Sequence, residues 1–338
     1  MIIPIILQEI LKTLIVVISV LLGMAYLTYA ERRVIGFIQS RLGPNRVGPY
    51  GLLQPFADGL KLIAKESIQP TLSNKGLFQA APIIAFTTAI AVWGLLPISP
   101  KGFFVESDIG LLMLLTLNSI GVYGIMIAGW ASNSKYALLG SLRSAAQVLS
   151  YEIGMGVSFI AVIMASGSMN LKQIILGQTG SILNWYIIPL FPLFIIYWIC
   201  ALAETNRLPF DVAEGESELV GGYHVEYSGW NFALFFLAEY INMIVVSVLA
   251  TILFLGGYLS PFENTFIGLY LQWIPPTFWL MLKTAVMLFS FLWIRATLPR
   301  YRYDQLMRLG WKILIPSACL WLFLVMFMAQ YHVGPWFK

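Results

Sequence analysis

The residues with chemical capacity in this chain are carboxylates, and they are grouped. Six of its sixteen acids, Glu204, Asp211, Glu214, Glu216, Glu218 and Glu226, fall within 204–229, where Arg207 is the single strong base and His224 the only imidazole. Carboxylates held together repel, so one or more of them is expected to keep its proton to a higher pH than an isolated acid. Clustered, partly buried acids of this kind exchange protons near neutrality. A freely solvated acidic loop is the plain alternative. Against it, the same stretch carries Leu208, Pro209, Phe210, Val212, Leu219, Val220, Tyr223 and Tyr227. A loop with that much apolar and aromatic mass is expected to fold back onto protein.

Three further ionisable residues lie inside apolar stretches: Glu152 beside Tyr151, Glu239 beside Tyr240, and Lys283. At the centre of a spanning helix each would cost ~2.5–3.5 kcal/mol, so each is expected to face protein or water rather than lipid. A structural ion pair between helices would satisfy that requirement, and so would a proton path. Glu152 and Glu239 lie toward the same end of their stretches as the acidic loop, which suggests a chain of carboxylates leading from the loop into the membrane.

Another unusual segment, GFIQSRLGPNRVGPYG at 36–51, is too rich in Gly and Pro to be regular helix. The residues LLQPFADGLKLIAKES that follow place Leu53, Phe56, Ala57, Leu60 and Ile63 at helical spacing, with Asp58, Lys61 and Lys65 opposite. That pattern predicts an amphipathic helix lying at the membrane interface, either a surface anchor or one wall of a cavity for an amphipathic ligand. Cys200 and Cys319 have no nearby thiol or imidazole, and His224 and His332 fall on opposite sides. No metal site or cofactor is therefore expected on this chain alone, and electrons for any redox reaction must come from another subunit.

The elements that must hold these residues follow from composition. The chain is 59% hydrophobic and 11% charged, far from the ~25% charged residues of soluble domains. Apolar runs near 20 residues match what a ~30 Å bilayer core asks of a spanning helix. The expected fold is all-α: a polytopic membrane protein, a single membrane domain over 1–338, with about eight transmembrane helices plus interfacial amphipathic helices. The spans read as 13–30, 77–97, 110–131, 145–166, 182–203, 230–257, 276–294 and 311–329. Lys12 precedes the first and Glu31-Arg32-Arg33 follows it, the opposite of a cleaved signal. Fifteen Lys and Arg residues collect on one side of these spans against four on the other. That asymmetry puts loops 31–76, 132–144, 204–229 and 295–310 in the cytoplasm or matrix, and both termini on the periplasmic or intermembrane side. It also accounts for the net charge of +4 without nucleic acid as a partner.

With these residues in view, three long stretches carry a resemblance: ERRVIGFIQSRLGPNRVGPYGLLQPFADGLKLIAKE (31–66), AETNRLPFDVAEGESELVGGYHVEYSG (203–229) and RATLPRYRYDQLMRLGWK (295–312), supported by SYEIGMG (150–156) and LFFLAEY (234–240). They resemble the H subunit (mitochondrial subunit 1) family of proton-pumping NADH:quinone oxidoreductase, respiratory complex I. The resemblance implies a translocase subunit that is not active alone. It would form the membrane-side wall of a quinone chamber, in a bacterial inner membrane or alternatively the mitochondrial one. Glu31, Arg32, Arg41, Asp58, Arg295 and Arg300 would line that chamber, with no residue catalytic by direct chemistry. Glu204, Asp211, Glu214, Glu216, Glu218, Glu226, Glu152 and Glu239, with Tyr151 as a hydrogen-bonding neighbour, would form the acidic path toward the pumping subunits. Implied partners are the quinone-module subunits of the peripheral arm, neighbouring small membrane subunits, quinone as substrate, and the lipid bilayer. FMN and the iron–sulfur clusters would sit in the partner subunits. The alternatives are the membrane subunit of an energy-converting hydrogenase, for which a short or altered acidic loop would be expected, a secondary transporter, and a non-catalytic anchor that leaves Glu152 and Glu239 unexplained.

Overall fold

The computed structural model of the chain describes residues 2–100, 105–211, 221–263, 266–271 and 273–337. All regular secondary structure among them is helical. The helices are α1 (Ile2–Ile38), α2 (Gln54–Ala64), α3 (Lys75–Ala91), α4 (Gly110–Ala131), α5 (Lys135–Ser166), α6 (Leu171–Leu176), α7 (Phe191–Glu204), α8 (Gly229–Phe254), α9 (Phe266–Leu271), α10 (Pro276–Thr297), α11 (Tyr303–Leu309) and α12 (Ile315–Gln330). A short π-helical turn, Gly310–Leu314, joins α11 to α12 without a break. Seven helical stretches are long and apolar enough to cross a membrane, and the chain is a multi-pass membrane protein.

The fifth expected span, 182–203, differs. α7 has 14 residues, which at ~1.5 Å per residue falls well short of a ~30 Å bilayer core. The remainder of 182–203 is a 3₁₀ turn, Ile182–Asn184, followed by irregular chain. The cause is local: Pro189 lacks an N–H and restricts the residue before it, so the helix starts afresh with Pro192 in its first turn. The irregular backbone is satisfied by protein. Ile187 N–H donates to the Phe254 carbonyl (3.0 Å), and Gln178 Oε1 accepts from the N–H groups of Tyr186 (3.3 Å) and Gly256 (2.9 Å).

Two other boundaries move. α1 continues through Ile38, so Glu31 and Arg32 stand on its last turns rather than in a loop. The Gly- and Pro-rich stretch breaks it only after that, with a 3₁₀ turn at Pro49–Gly51. α5 begins at Lys135, ten residues before the expected start of its span, because nothing between Ser134 and Glu152 interrupts the helix. Glu152 is thereby mid-helix.

α8 is the most enclosed helix, while α1 and α12 lie at the rim with broad apolar faces uncovered. On α1, Leu7, Ile10, Leu14, Ile15 and Ile18 are exposed, as expected of side chains whose solvent is lipid. α2 has no buried residue, and its apolar residues Leu60 and Ile63 are equally open. Close backbone contacts fix the centre. A Cβ on Gly124 of α4 would stand 3.0 Å from the Ala81 carbonyl of α3, and one on Gly140 of α5 would stand 2.6 Å from the Gly222 backbone. The second contact presses the turn Gly222–His224 of the acidic loop directly onto α5.

Candidate functional site

The last turns of α1 carry the first group of charges. Glu31 is buried; Arg295 of α10 pairs with its Oε1, and Tyr240 of α8 donates its hydroxyl to Oε2 at 2.8 Å. At the next position on the same helix, Arg32 meets Asp58 of α2 at 2.5 Å, and Gln54 donates to the other Asp58 oxygen at 3.1 Å. A cavity of about 450 Å³ opens beside these residues, lined by Glu31, Arg32, Ile35, Arg41, Leu42 and Pro44. Arg41 itself is exposed and donates to Gln39 (2.8 Å).

Deeper, Arg207 reaches back from the loop after α7. It is buried, its Nε lies 2.9 Å from Glu239 Oε1, and its guanidinium sits 4.2 Å from the centre of the Tyr240 ring. Gln147 of α5 holds this part of the loop in place by donating to the carbonyls of Ala203 and Phe210, both at 2.8 Å. The loop's described portion is packed rather than solvated: Thr205, Asn206, Phe210, Asp211, Tyr223 and Tyr227 are all buried. Tyr227 stacks on Phe78 (4.0 Å between ring centres) and donates to its carbonyl, and burial raises the phenol's pKa well above its ordinary value.

A cavity of about 60 Å³ lies beyond the Arg207–Glu239 pair, with Thr88, Asn118, Glu204, Asn206, Glu239 and Asn242 on its wall. That is room for a few water molecules at the ~10–15 Å³ of accessible space each requires. On its far side stand the last two acids, held by successive residues of α4. Asn118 donates to Glu204 Oε1 (3.2 Å) and Ser119 to Glu152 Oε2 (3.1 Å). The two carboxylates interact electrostatically. Each keeps one buried oxygen, Glu152 Oε1 and Glu204 Oε2, with no donor among the described residues.

The other predicted positions fall around this series. Asp211 is buried and pairs with Arg300 at 3.0 Å, joining a residue expected on the acid path to one expected at the chamber. Phe210 stacks on Tyr301 (5.7 Å), and Tyr301 N–H donates to the Pro209 carbonyl, so the loops after α7 and α10 form one surface. Glu226 is half-buried just past the turn Gly222–His224. Glu214, Glu216 and Glu218 lie outside the described residues. Tyr151 departs from expectation: its hydroxyl donates to the Leu306 carbonyl (3.0 Å), not to an acid, because side chains one residue apart on a helix point about 100° apart.

Sequence reasoning focused on ionisable side chains and so missed Asn118, Ser119 and Gln147. Their signal was available, since Asn118 and Ser119 interrupt an otherwise apolar helix. Arg207, the lone strong base of the acidic loop in sequence, pairs with a glutamate of α8, outside that loop. Among the described residues no group of His, Cys, Asp and Glu is arranged to hold a metal ion. The arrangement brings carboxylates, one buried arginine and a water-sized cavity into one neighbourhood. In comparison with known families, residues 11–326 match the model of the family described as NADH dehydrogenase.

Proposed function

The chain belongs to the NADH dehydrogenase family, and from that premise we propose that it is the H-type membrane subunit of a proton-translocating NADH:quinone oxidoreductase. In this reading the cavity beside Glu31, Arg32 and Arg41 is the membrane-side part of the quinone chamber, with Arg295, Arg300 and Asp58 at its polar margin. Electrons arrive from partner subunits that carry the flavin and iron–sulfur clusters. The chain's own contribution is to hold the quinone headgroup next to ionisable side chains and to carry the resulting charge change inward.

The observation that supports this best is the order of the polar groups. Arg32–Asp58 and Arg295–Glu31 stand at the large cavity, Tyr240 and the Arg207–Glu239 pair come next, and Glu239 and Glu204 share the wall of the small cavity, with Glu152 interacting with Glu204. A charge change at Glu31 weakens or strengthens its bond to Arg295. Its effect passes to Glu239, and a proton moves on to Glu204 and Glu152, whose spare oxygens are ready to accept it.

Magnitudes require several acids. A unit charge ~10 Å from a carboxylate is worth ~1.7 kcal/mol at an effective dielectric near 20. Moving one proton against ~150 mV costs ~3.5 kcal/mol. One carboxylate answering one charge is too weak, whereas a coupled series answering a two-electron change on quinone is not.

The test is made on the assembled complex in sealed vesicles, recording quinone reduction and acidification together in Glu152→Gln, Glu152→Asp and Glu239→Gln. Both activities should fall together by about tenfold or more in the Gln variants, the scale of losing a positioned acid. The Asp variant, which keeps the proton site but shortens its reach, should recover part of the loss. Full turnover with full acidification in both Gln variants would overturn the proton-path reading.

A further inference from the structure

Tyr240 touches two ion pairs at once. Its hydroxyl donates to Glu31 Oε2 (2.8 Å), the carboxylate that Arg295 holds by its other oxygen. Its ring face receives the Arg207 guanidinium at 4.2 Å, while the Nε of that same arginine lies 2.9 Å from Glu239. The charged groups that act on it are Arg207, Glu31 and Arg295. The residue is buried, and Phe236, one turn earlier on α8, packs against its ring at 4.7 Å between centres, so the ring is held and cannot swing away from either partner.

We propose that Tyr240 is the positioning residue that couples the Glu31–Arg295 pair to the Arg207–Glu239 pair, so that the charge state of Glu31 sets how strongly Arg207 holds Glu239. The inference rests on the functional reading above and names the link between its two halves. The physics is a competition for one guanidinium. A phenol donating to an ionised carboxylate forms a strong, charge-assisted hydrogen bond, and the bond shifts electron density onto the ring. A more electron-rich face attracts the Arg207 cation more strongly and draws it from Glu239. When Glu31 gains a proton, the hydroxyl loses its charged acceptor, the face becomes less negative, and Arg207 settles on the Glu239 carboxylate. Because Arg207 is 4% exposed, bulk solvent screens neither contact strongly. The proton in this scheme is carried by Glu31; Tyr240 keeps its own and changes only the strength of its contacts.

Two variants separate its two contacts. Tyr240→Phe keeps the ring and removes the hydroxyl, and Tyr240→Leu removes both. In the assembled complex, Tyr240→Phe should lower quinone turnover by about tenfold, the worth of one charge-assisted bond, with the quinone KM essentially unchanged. The Leu variant should fall further. A double-mutant cycle gives the readout that a merely structural tyrosine would not move. With Tyr240 present, the turnover effects of Glu31→Gln and Glu239→Gln should be non-additive by about fivefold or more, and in the Tyr240→Phe background they should become additive. Equal non-additivity in both backgrounds, or normal turnover in Tyr240→Phe, would overturn the proposal. Should Glu31→Gln fail to assemble, Glu31→Asp takes its place in the cycle. The two failures are distinguishable. If Glu152→Gln and Glu239→Gln keep full turnover and acidification, the proton-path reading falls; if those variants collapse while Tyr240→Phe is normal, only the role of Tyr240 is lost.

Discussion

Lys283 and the pair Glu152–Glu204 pose the same problem at opposite ends of the molecule, and the protein solves it in two ways. Each is an ionisable side chain placed where water is scarce, with a comparable cost of leaving it unsatisfied. The Lys283 ammonium uses all three of its donors on backbone carbonyls, those of Leu255 (2.7 Å), Gly257 (3.0 Å) and Leu259 (2.7 Å), and lies 4.2 Å from the Trp185 ring centre. It closes the frayed end of α8. Glu152 and Glu204 each receive one donor and retain one bare oxygen, and Glu204 borders a cavity large enough for water. A saturated charge is fixed in place, whereas an unsaturated one has somewhere to put a proton. Hydrogen-bond saturation, more than burial, is what separates a structural charge from one that can do work.

The largest expected effect breaks or upholds that distinction directly. Lys283→Met has nearly the right volume but leaves three carbonyls, two of them on buried residues, without their donor. A buried acceptor left without its donor costs about 1–3 kcal/mol. Thermal melting of the complex should therefore drop markedly and less of it should assemble, while quinone turnover per assembled complex stays normal. A variant that melts normally but turns over slowly would place Lys283 among the working charges and erase the contrast with Glu152.

Effects at the proposed chamber should be intermediate and should fall on quinone rather than stability. The Arg32 and Asp58 side chains are 49% and 28% exposed, and such pairs contribute about 0–1 kcal/mol. Asp58→Asn should accordingly assemble, reduce ferricyanide normally through the peripheral arm, and be slow with quinone. Arg300→Ala removes the partner of buried Asp211 as well as a charge from the proposed chamber margin, so it should raise the quinone KM or lower turnover by several-fold, on the scale of one charged hydrogen bond. Equal loss of the ferricyanide and quinone reactions in Asp58→Asn would indicate failed assembly and count against the chamber. An unaltered quinone titration in assembled Arg300→Ala would remove Arg300 from it.

How much of this could be read from sequence depended on whether the signal was local. The spans were legible because each is a run of apolar residues, and α2 because its polar and apolar residues segregate at helical spacing. The division of the fifth span was legible too, in Pro189 and Pro192, but hydropathy alone passes over prolines within an apolar run. The acids were visible as acids. Their partners were not: Glu31 is held by residues 209 and 264 positions away in the chain, Tyr240 and Arg295. No spacing rule links groups brought together only by packing. Tyr151 adjoins Glu152 in sequence, yet helix geometry turns its hydroxyl to the Leu306 carbonyl.

The smallest expected effect sharpens the comparison at its other end. Ser119 supplies the hydrogen bond that Glu152 receives, yet the acid's second oxygen already lacks a donor. If Glu152 is a working charge, the hydroxyl only tunes it. Ser119→Ala removes a single oxygen and with it one neutral donor, a loss of about 0.5–1.5 kcal/mol. Turnover should fall by no more than about two- to tenfold, the same energy expressed as a rate. Stability should barely change, because a carboxyl that loses its donor in this site can take up a proton instead of standing as an uncompensated charge. That escape is closed to the carbonyls around Lys283. Melting curves and quinone turnover on the same preparation decide the matter. If Ser119→Ala destabilises the complex as severely as Lys283→Met, Glu152 is clamped in the same manner as the lysine, and saturation is not what distinguishes them. A small change in rate with an unshifted melting point is the outcome expected of an acid that keeps one oxygen for the proton.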